Sequence, residues 1–176
     1  MIFTETKLPG AYIIEPERFS DERGFFARAF DQEAFAARGL NPIIAQCNIS
    51  YNRLRGTLRG MHFQVPPYAE TKLVRCTAGA VYDVIVDLRP ESPSFRQWIS
   101  VELSAENRRL LYVPEGFAHG LQTLADDTEV FYQMGAPYVA EAARGVRYND
   151  PAFGIDWPLP VTVIADRDRD YEDFCP

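Results

Sequence analysis

Residues 71–89 read TKLVRCTAGAVYDVIVDLR, which is two apolar segments on either side of a short turn-forming sequence. The turn covers residues 77–80, where Gly79 supplies the residue type for which a positive φ costs least. In the second segment Val81, Asp83, Ile85 and Asp87 share one face, because successive side chains of a strand alternate between faces. The stretch therefore predicts a β-hairpin whose second strand carries aspartates among apolar neighbours.

Short segments of similar character occur along the rest of the chain. A single helix is predicted over residues 32–38, where Asp31 is a good N-cap and Gly39 fits the position after the last turn. One or two further turns of helix are predicted within residues 137–145. Many short strands with few helices are typical of a β-sandwich, jelly roll or barrel. The further predicted strands cover residues 43–49, 56–63, 97–103, 109–113, 119–124, 128–134 and 161–164.

Length and composition predict one globular domain over residues 1–176. Hydrophobic residues make up 47% of the chain, yet the apolar stretches are too short to cross a bilayer and the first residues do not form a leader sequence. We therefore expect a soluble, cytoplasmic protein that binds no membrane. A net charge of -7 disfavours a nucleic-acid surface. The odd number of cysteines, Cys47, Cys76 and Cys175, predicts free thiols.

The sequence contains only two histidines, His62 in the segment RGMHFQ (59–64) and His119 in the segment PEGFAHG (114–120). Histidine is the side chain whose ordinary pKa lies nearest physiological pH, so these two are the first candidates for proton transfer. A jelly roll can hold a metal, but two histidines 57 positions apart leave the usual ligand set incomplete. Acid/base chemistry without a metal is therefore the favoured hypothesis.

The order and spacing of several motifs resemble the dTDP-4-dehydrorhamnose 3,5-epimerase family over nearly the whole chain. The resemblance implies a cupin-type jelly roll, a homodimer, no metal or other cofactor, and a nucleotide diphosphate sugar as substrate. It also implies that the stereocentres beside the keto group of a 4-keto-6-deoxy sugar are inverted. The motifs are DERGFF (21–26), QCNIS (46–50), LRGMHFQ (58–64), KLVR (72–75), DVIVD (83–87), VPEGFAHG (113–120), Tyr132 with Tyr138, NDP (149–151), WP (157–158) and DRD (166–168).

An epimerase that works through an enolate needs a base, a group that stabilises the oxyanion, and an acid on the opposite face. By the resemblance His62 is the base and Asp168 fixes its tautomer. Lys72 supplies positive charge near the enolate oxygen, and Tyr132 returns a proton from the other side. Neighbouring cations are expected to help the phenol release that proton.

The remaining site residues also follow from the resemblance. His119 joins the same pocket and pairs with Asp83. The substrate is expected to contact Arg23, Phe26, Gln46, Asn48, Arg59, Tyr138 and Arg167. Among these, the three arginines hold the diphosphate, for which a guanidinium is well shaped. The N-terminal segment is expected to reach across a dimer to the nucleotide base.

Strand geometry adds two expectations. Lys72 and Arg75 are three residues apart, so in a regular strand only one can point inward, and we choose Lys72. Arg59 and His62 have the same spacing, yet both are needed in the site. We therefore predict an irregularity between them, which Gly60 would permit.

Two positions depart from the pattern of the family. Arg28 stands where many members have glutamate, and Ala165 stands where serine is common. The identity of the base, and whether C3, C5 or both are inverted, therefore stay open. The alternatives are a ketoisomerase or single-centre epimerase for another nucleotide sugar, and a sugar-nucleotide-binding jelly roll without catalysis.

Overall fold

The computed structural model describes residues 1–175 and has the all-β jelly-roll architecture of cupin type that the sequence predicts. Two short helices, α1 (Gln32–Ala36) and α2 (Asp166–Arg169), and one 3₁₀ turn at Ala140–Ala142 accompany the strands. No helix within residues 1–175 is both long and apolar enough to span a membrane. In chain order the strands are β1 (Ile2–Glu5), β2 (Tyr12–Glu15), β3 (Arg18–Asp21), β4 (Gly24–Ala27), β5 (Gln46–Asn52), β6 (Thr57–Gln64), β7 (Lys72–Ala78), β8 (Ala80–Asp87), β9 (Trp98–Ser104), β10 (Leu110–Val113), β11 (Phe117–Thr123), β12 (Thr128–Met134), β13 (Ala143–Gly145) and β14 (Val163–Ile164).

Two sheets form the body of the molecule. The first has the strand order β1-β2-β10-β7-β12-β5, and the second has the order β13-β6-β11-β8-β9, with β14 pairing in parallel with β6. Strands β3 and β4 form a separate two-stranded hairpin. The long antiparallel pairs β7–β12 and β8–β11 therefore lie near the middle of the two sheets, where they can carry buried side chains on both faces.

The main core lies between the two sheets. Val74 from the first sheet and Ile85 and Leu121 from the second are fully buried in it. Each such side chain contributes roughly 1.5–3 kcal/mol through removal from water. The opposite face of β8 is also covered, because Val84 and Val86 pack in a second cluster with Met61. The predicted alternation in β8 is thus confirmed, and both of its faces are apolar.

The predicted hairpin is confirmed as β7 and β8, joined at Gly79 with φ +71°. Helix α1 is also confirmed, since the side chain of Asp31 accepts a hydrogen bond from the backbone N–H of Ala34. The four short strands before α1 and helix α2 were not predicted. Strand β3, for example, is exposed along its whole length and lacks the buried alternation that marks a strand in a sequence.

The predicted irregularity in β6 is a β-bulge. Opposite β11, His62 pairs with His119 and Arg59 pairs with Leu121, so a three-residue step in β6 faces a two-residue step in β11. Gly60 adopts φ +119° at this point. A Cβ atom there would lie 2.5 Å from the Cα of Gly120, so only glycine permits the close approach of the two strands. The bulge turns the side chains of Arg59 and His62 toward the same cleft.

Candidate active site

A cleft of about 810 Å³ opens between the two sheets. Strands β5, β7 and β12 form one wall, strands β6 and β11 form the other, and the C-terminal segment after β14 closes one side. The predicted site residues that line the cleft are Gln46, Asn48, Arg59, His62, Lys72, His119, Tyr132, Tyr138 and Arg167. The structure therefore brings together residues that lie up to 121 positions apart in the chain.

His62 and Asp168 form a pair at the rim of the cleft. The Nε2 atom of His62 lies 2.7 Å from Oδ1 of Asp168, while Oδ2 accepts the backbone N–H of Gly60 at 3.1 Å. Burial alone raises the pKa of Asp168, but the hydrogen bonds from His62 and Gly60 and the nearby positive charge outweigh it and hold the pKa below its usual value. Because an ionised carboxylate only accepts, Nε2 carries the proton and Nδ1 is left as the basic nitrogen.

His119 and Asp83 form a second pair deeper in the protein. The Nε2 atom of His119 lies 2.8 Å from Oδ1 of Asp83, and both side chains are almost fully buried. Within residues 1–175, Oδ2 of Asp83 has no hydrogen-bond partner. The imidazole of His119 meets the ring of Tyr132 edge to face at 5.9 Å. The pair therefore supports the floor of the cleft from behind.

Lys72 projects into the cleft from the first residue of β7, as the choice between Lys72 and Arg75 predicted. Its Nζ donates to the backbone carbonyl of His62 at 2.9 Å and lies 3.3 Å from Oε1 of Glu70. Burial lowers the pKa of Lys72, and the carboxylates of Glu70 and Asp83 oppose that effect. Arg75 lies outside the cleft, with its guanidinium over the ring of Phe131.

Tyr132 lines the cleft from β12. The neighbouring cation Arg59 makes its proton easier to release, as expected, but two other effects outweigh it. Burial, followed by the negative charge of Asp83, raises the pKa of Tyr132 well above its usual value, and Arg59 offsets this only in part. The phenol is therefore fully protonated before any reaction begins, and substrate must supply part of the driving force for its deprotonation.

Of the three arginines expected to hold the diphosphate, two line the cleft and one does not. Arg59 is fixed in the cleft wall by its Nε, which donates to Oδ1 of Asn52 at 2.6 Å. Arg167 lies beside the first histidine, with one guanidinium nitrogen 3.2 Å from Nε2 of His62. Arg23 and Phe26 do not reach the cleft of their own chain, because both project from the exposed β3–β4 hairpin. Their role in substrate binding stays a prediction.

Glu70 and Tyr171 are among the residues of the cleft that sequence reasoning missed. Tyr171 approaches the ring of His62 edge to face at 6.2 Å. It packs against Gly145 so closely that a Cβ there would lie 2.1 Å from its ring. A glycine at position 145 is a signal in the sequence that another segment packs closely against the main chain there. The sequence does not show which segment this is. Glu70 follows two prolines and a tyrosine, and its neighbours there resemble an ordinary loop.

Within residues 1–175, no three side chains of His, Cys, Asp or Glu are grouped so that they could hold a metal ion. The donors in the cleft are two histidines that are each already paired with a carboxylate, and Glu70, which is paired with Lys72. Metal independence stays a prediction.

Comparison with known proteins adds independent information about this cleft. A family model described as dTDP-4-dehydrorhamnose 3,5-epimerase matches residues 5–175. The chain is 43% identical over 176 residues to an enzyme of that name from Sinorhizobium fredii, covering 99% of this chain and 90% of the relative.

Solved structures agree with the sequence comparison. The dTDP-4-dehydrorhamnose 3,5-epimerase of Bacillus anthracis, with TDP and PPi bound, superimposes with a TM-score of 0.94 at 42% identity, covering 98% of this chain and 99% of that one. ChmJ, a 3′-monoepimerase from Streptomyces bikiniensis in complex with dTDP-quinovose, gives a TM-score of 0.86 at 34% identity, covering 96% and 85%. The matches in sequence and structure extend over almost the full described chain, and the protein belongs to the dTDP-4-dehydrorhamnose 3,5-epimerase family.

Proposed function

We propose that this protein is an isomerase that inverts the configuration at C3 and C5 of a dTDP-linked 4-keto-6-deoxy sugar, as a step of deoxysugar biosynthesis. Membership of the family supports the substrate class. The observation that carries the proposal is the presence of a carboxylate-paired imidazole and a protonated phenol, His62 and Tyr132, in one cleft. An epimerase needs a base and an acid that can reach the two faces of one ring.

The reaction starts with loss of the hydrogen on the carbon beside the keto group. His62 takes this proton on Nδ1, because Asp168 holds the proton already present on Nε2. The imidazolium that results lies next to an ionised carboxylate, which stabilises it. Asp168 is thus a positioning residue that sets the tautomer of the base.

The enolate oxygen that forms needs positive charge or hydrogen-bond donors. Lys72 supplies a buried ammonium group in the cleft wall. His119, whose first ring nitrogen is bonded to Asp83, donates from its second ring nitrogen in the imidazolium form. Both groups are held by the protein before substrate arrives, so little reorganisation accompanies the reaction.

Tyr132 completes the inversion by giving its proton to the opposite face of the enolate. Its raised pKa keeps the phenol protonated in the resting enzyme. An enolate carbon is a strong enough base to accept a proton from it, and the ammonium of Lys72 limits the charge that remains. His62 then releases its extra proton to solvent and Tyr132 regains one from solvent, and repetition of the cycle at the second carbon gives the doubly inverted sugar.

The substrate is oriented by polar side chains around the cleft. Arg59 and Arg167 carry the positive charge that the diphosphate requires, and Gln46, Asn48 and Tyr138 line the same cleft. We further propose a homodimer in which Arg23 and Phe26 of one copy complete the cleft of the other. The exposure of Phe26, which is 72% accessible on a projecting hairpin, supports this arrangement.

The test is hydrogen exchange in deuterated water. The protein is incubated with the dTDP-linked 4-keto-6-deoxy sugar, and deuterium at C3 and C5 is followed by NMR. Exchange with inversion at both carbons supports the proposal, whereas no exchange at either carbon contradicts it. Activity is also expected to survive a strong chelator. A rate that falls with the chelator and returns with an added metal would contradict the metal-independent mechanism.

A single-centre epimerase is the second candidate. It is favoured by the similarity to a 3′-monoepimerase, whose fold covers 96% of this chain. The same exchange experiment separates the two, since a single-centre enzyme incorporates deuterium at one carbon only.

A further inference from the structure

Glu70 is a buried carboxylate in the wall of the cleft that the mechanism above does not use. Its side chain is 6% exposed, it lines the cleft, and it precedes β7 by two residues. Among residues 1–175, Lys72 is the cation that forms an ion pair with it, at 3.3 Å. A carboxylate is costly to bury unless a positive charge compensates it, so its position here calls for a reason.

The loop that carries Glu70 is held firmly on both sides. The side-chain amide of Gln64 donates to the carbonyl oxygens of Tyr68 and Pro137, which ties the loop to the segment after β12. Beyond Glu70, the carbonyl of Thr71 accepts the backbone N–H of Gly135 at 2.8 Å. The main chain on either side of Glu70 therefore cannot shift without breaking these hydrogen bonds.

The donors of Lys72 can be counted. An ammonium group has three N–H donors. One goes to the carbonyl of His62 at 2.9 Å, and a second is directed to Glu70 at 3.3 Å. The third is left for the cleft, where the enolate oxygen would form. Glu70 and His62 thus fix the direction of the donor that remains.

The charges around Lys72 come from several strands. Glu70 lies just before its own strand, and Asp83 acts on it from β8. The other titratable groups that share the cleft with it are His62 on β6, His119 on β11 and Tyr132 on β12, together with Arg59, Tyr138, Arg144, Arg167 and Tyr171. Among residues 1–175, Asp83 acts on Lys72 through its charge without forming an ion pair with it, so Glu70 is the carboxylate that pairs with Lys72 directly.

We propose that Glu70 is a positioning residue for epimerisation, which keeps the ammonium of Lys72 charged and directs its free N–H toward the substrate oxygen. This inference rests on the proposed function, because it assigns Glu70 a task in the same reaction. Burial lowers the pKa of Lys72, and the carboxylate of Glu70 opposes this effect. Loss of the carboxylate would therefore leave a larger fraction of Lys72 neutral at alkaline pH.

The test is the pH profile of kcat in the full-length enzyme with Glu70→Gln. Glutamine keeps the size and the acceptor oxygen but removes the charge. We expect the alkaline limb of kcat to move to lower pH and KM to stay unchanged. At the alkaline end of the profile, kcat should fall by about tenfold or more relative to wild type, since an adjacent opposite charge commonly changes such an equilibrium by that factor. Glu129→Gln is the matched control, because Glu129 bonds to Thr77 outside the cleft and its loss should leave the limb in place.

Glu70→Asp provides a second measurement that does not depend on the folding of the glutamine variant. Aspartate keeps the charge at a longer distance, so the alkaline limb should stay near that of wild type while kcat falls. An unmoved limb in Glu70→Gln, or a limb that moves to the same extent in Glu70→Asp or Glu129→Gln, would overturn the inference. If wild type itself shows no exchange at C3 or C5, the proposed function fails, whereas an active wild type with an unmoved limb refutes the role of Glu70 alone.

Discussion

The two histidine–aspartate pairs have the same hydrogen bond in very different surroundings. The side chain of His62 is 34% exposed and its partner Asp168 receives a further backbone N–H, while His119 and Asp83 are almost completely buried. Asp83 has His119 as its one hydrogen-bond partner within residues 1–175. The first pair can exchange protons with a substrate at little structural cost. The second holds a charge in the interior and depends on its partner.

This difference indicates a division of labour between two pairs that look alike in sequence. A base must gain and lose a proton, so its surroundings have to accept both charge states. Asp168 has Gly60 and Arg167 close by, so it stays compensated whatever the state of the ring. The deep pair has the charge of Lys72 nearby, but within residues 1–175 no second hydrogen-bond donor reaches Asp83, and we expect the pair to fix geometry and electrostatics around Tyr132.

The largest expected effect is on catalysis at the exposed pair. His62→Ala should lower the rate of deuterium exchange at the reacting carbons by about 10³-fold or more, because removal of a general base usually costs 10²–10⁴-fold. NMR of the product in deuterated water measures this loss. Retention of more than a tenth of the wild-type rate would remove His62 from the role of base.

Tyr132→Phe should separate exchange from inversion. Removal and return of a proton on one face needs only the base, so exchange persists while the inverted product falls by about 10²-fold or more. Deuterium content and stereochemistry of the recovered sugar are measured together. An inverted product formed at an undiminished rate would contradict the assignment of the acid.

Replacement of each histidine by alanine should affect stability in the opposite order to catalysis, so that His119→Ala costs more unfolding free energy than His62→Ala. His119→Ala leaves Asp83 buried without a partner and should lower the free energy of unfolding by about 3 kcal/mol. His62→Ala should lower it by about 1 kcal/mol or less, because Asp168 keeps the N–H of Gly60 and the nearby Arg167. Urea unfolding measures both values. Equal losses would show that burial does not distinguish the pairs.

The smallest expected effect is the pH dependence of stability at Asp168. Its pKa in the folded protein lies below the usual value, so it stabilises the fold above the pKa of the unfolded chain. That stability is lost as the pH falls through the lower, folded pKa. Wild type should therefore lose more unfolding free energy on acidification than Asp168→Asn. Parallel curves for the two proteins would contradict the ionised state of Asp168.

The sequence was a good guide to regular, half-buried structure. The hairpin of β7 and β8 and the strands that carry the two histidines follow from side-chain alternation, as does the rule that Lys72 and Arg75 cannot both face the cleft. The need to bring Arg59 and His62 to one side even predicted a bulge at Gly60. These features depend on local rules that a single sequence contains.

Features that depend on long-range contacts were harder to predict from the sequence. Asp83 and Asp87 share one face of β8, and alternation cannot tell them apart. In the structure burial raises the pKa of Asp87, but hydrogen bonds from Arg89, Ser92 and Ser94 outweigh it and hold the pKa at about 2. Asp83 instead bonds to His119, which lines the cleft. The position of Glu70 beside Lys72 also depends on how a loop folds back, for which the sequence has no periodic signal.

The close contact of Gly60 with Gly120 limits how the site can be altered. The main chains of β6 and β11 meet there without room for a single added methyl group, so the spacing of the two imidazoles is set by backbone. Directed evolution toward new sugars would therefore gain little from libraries on those strands. Diversity introduced on β5 and β12, which line the opposite wall, offers the more productive route to altered substrate scope.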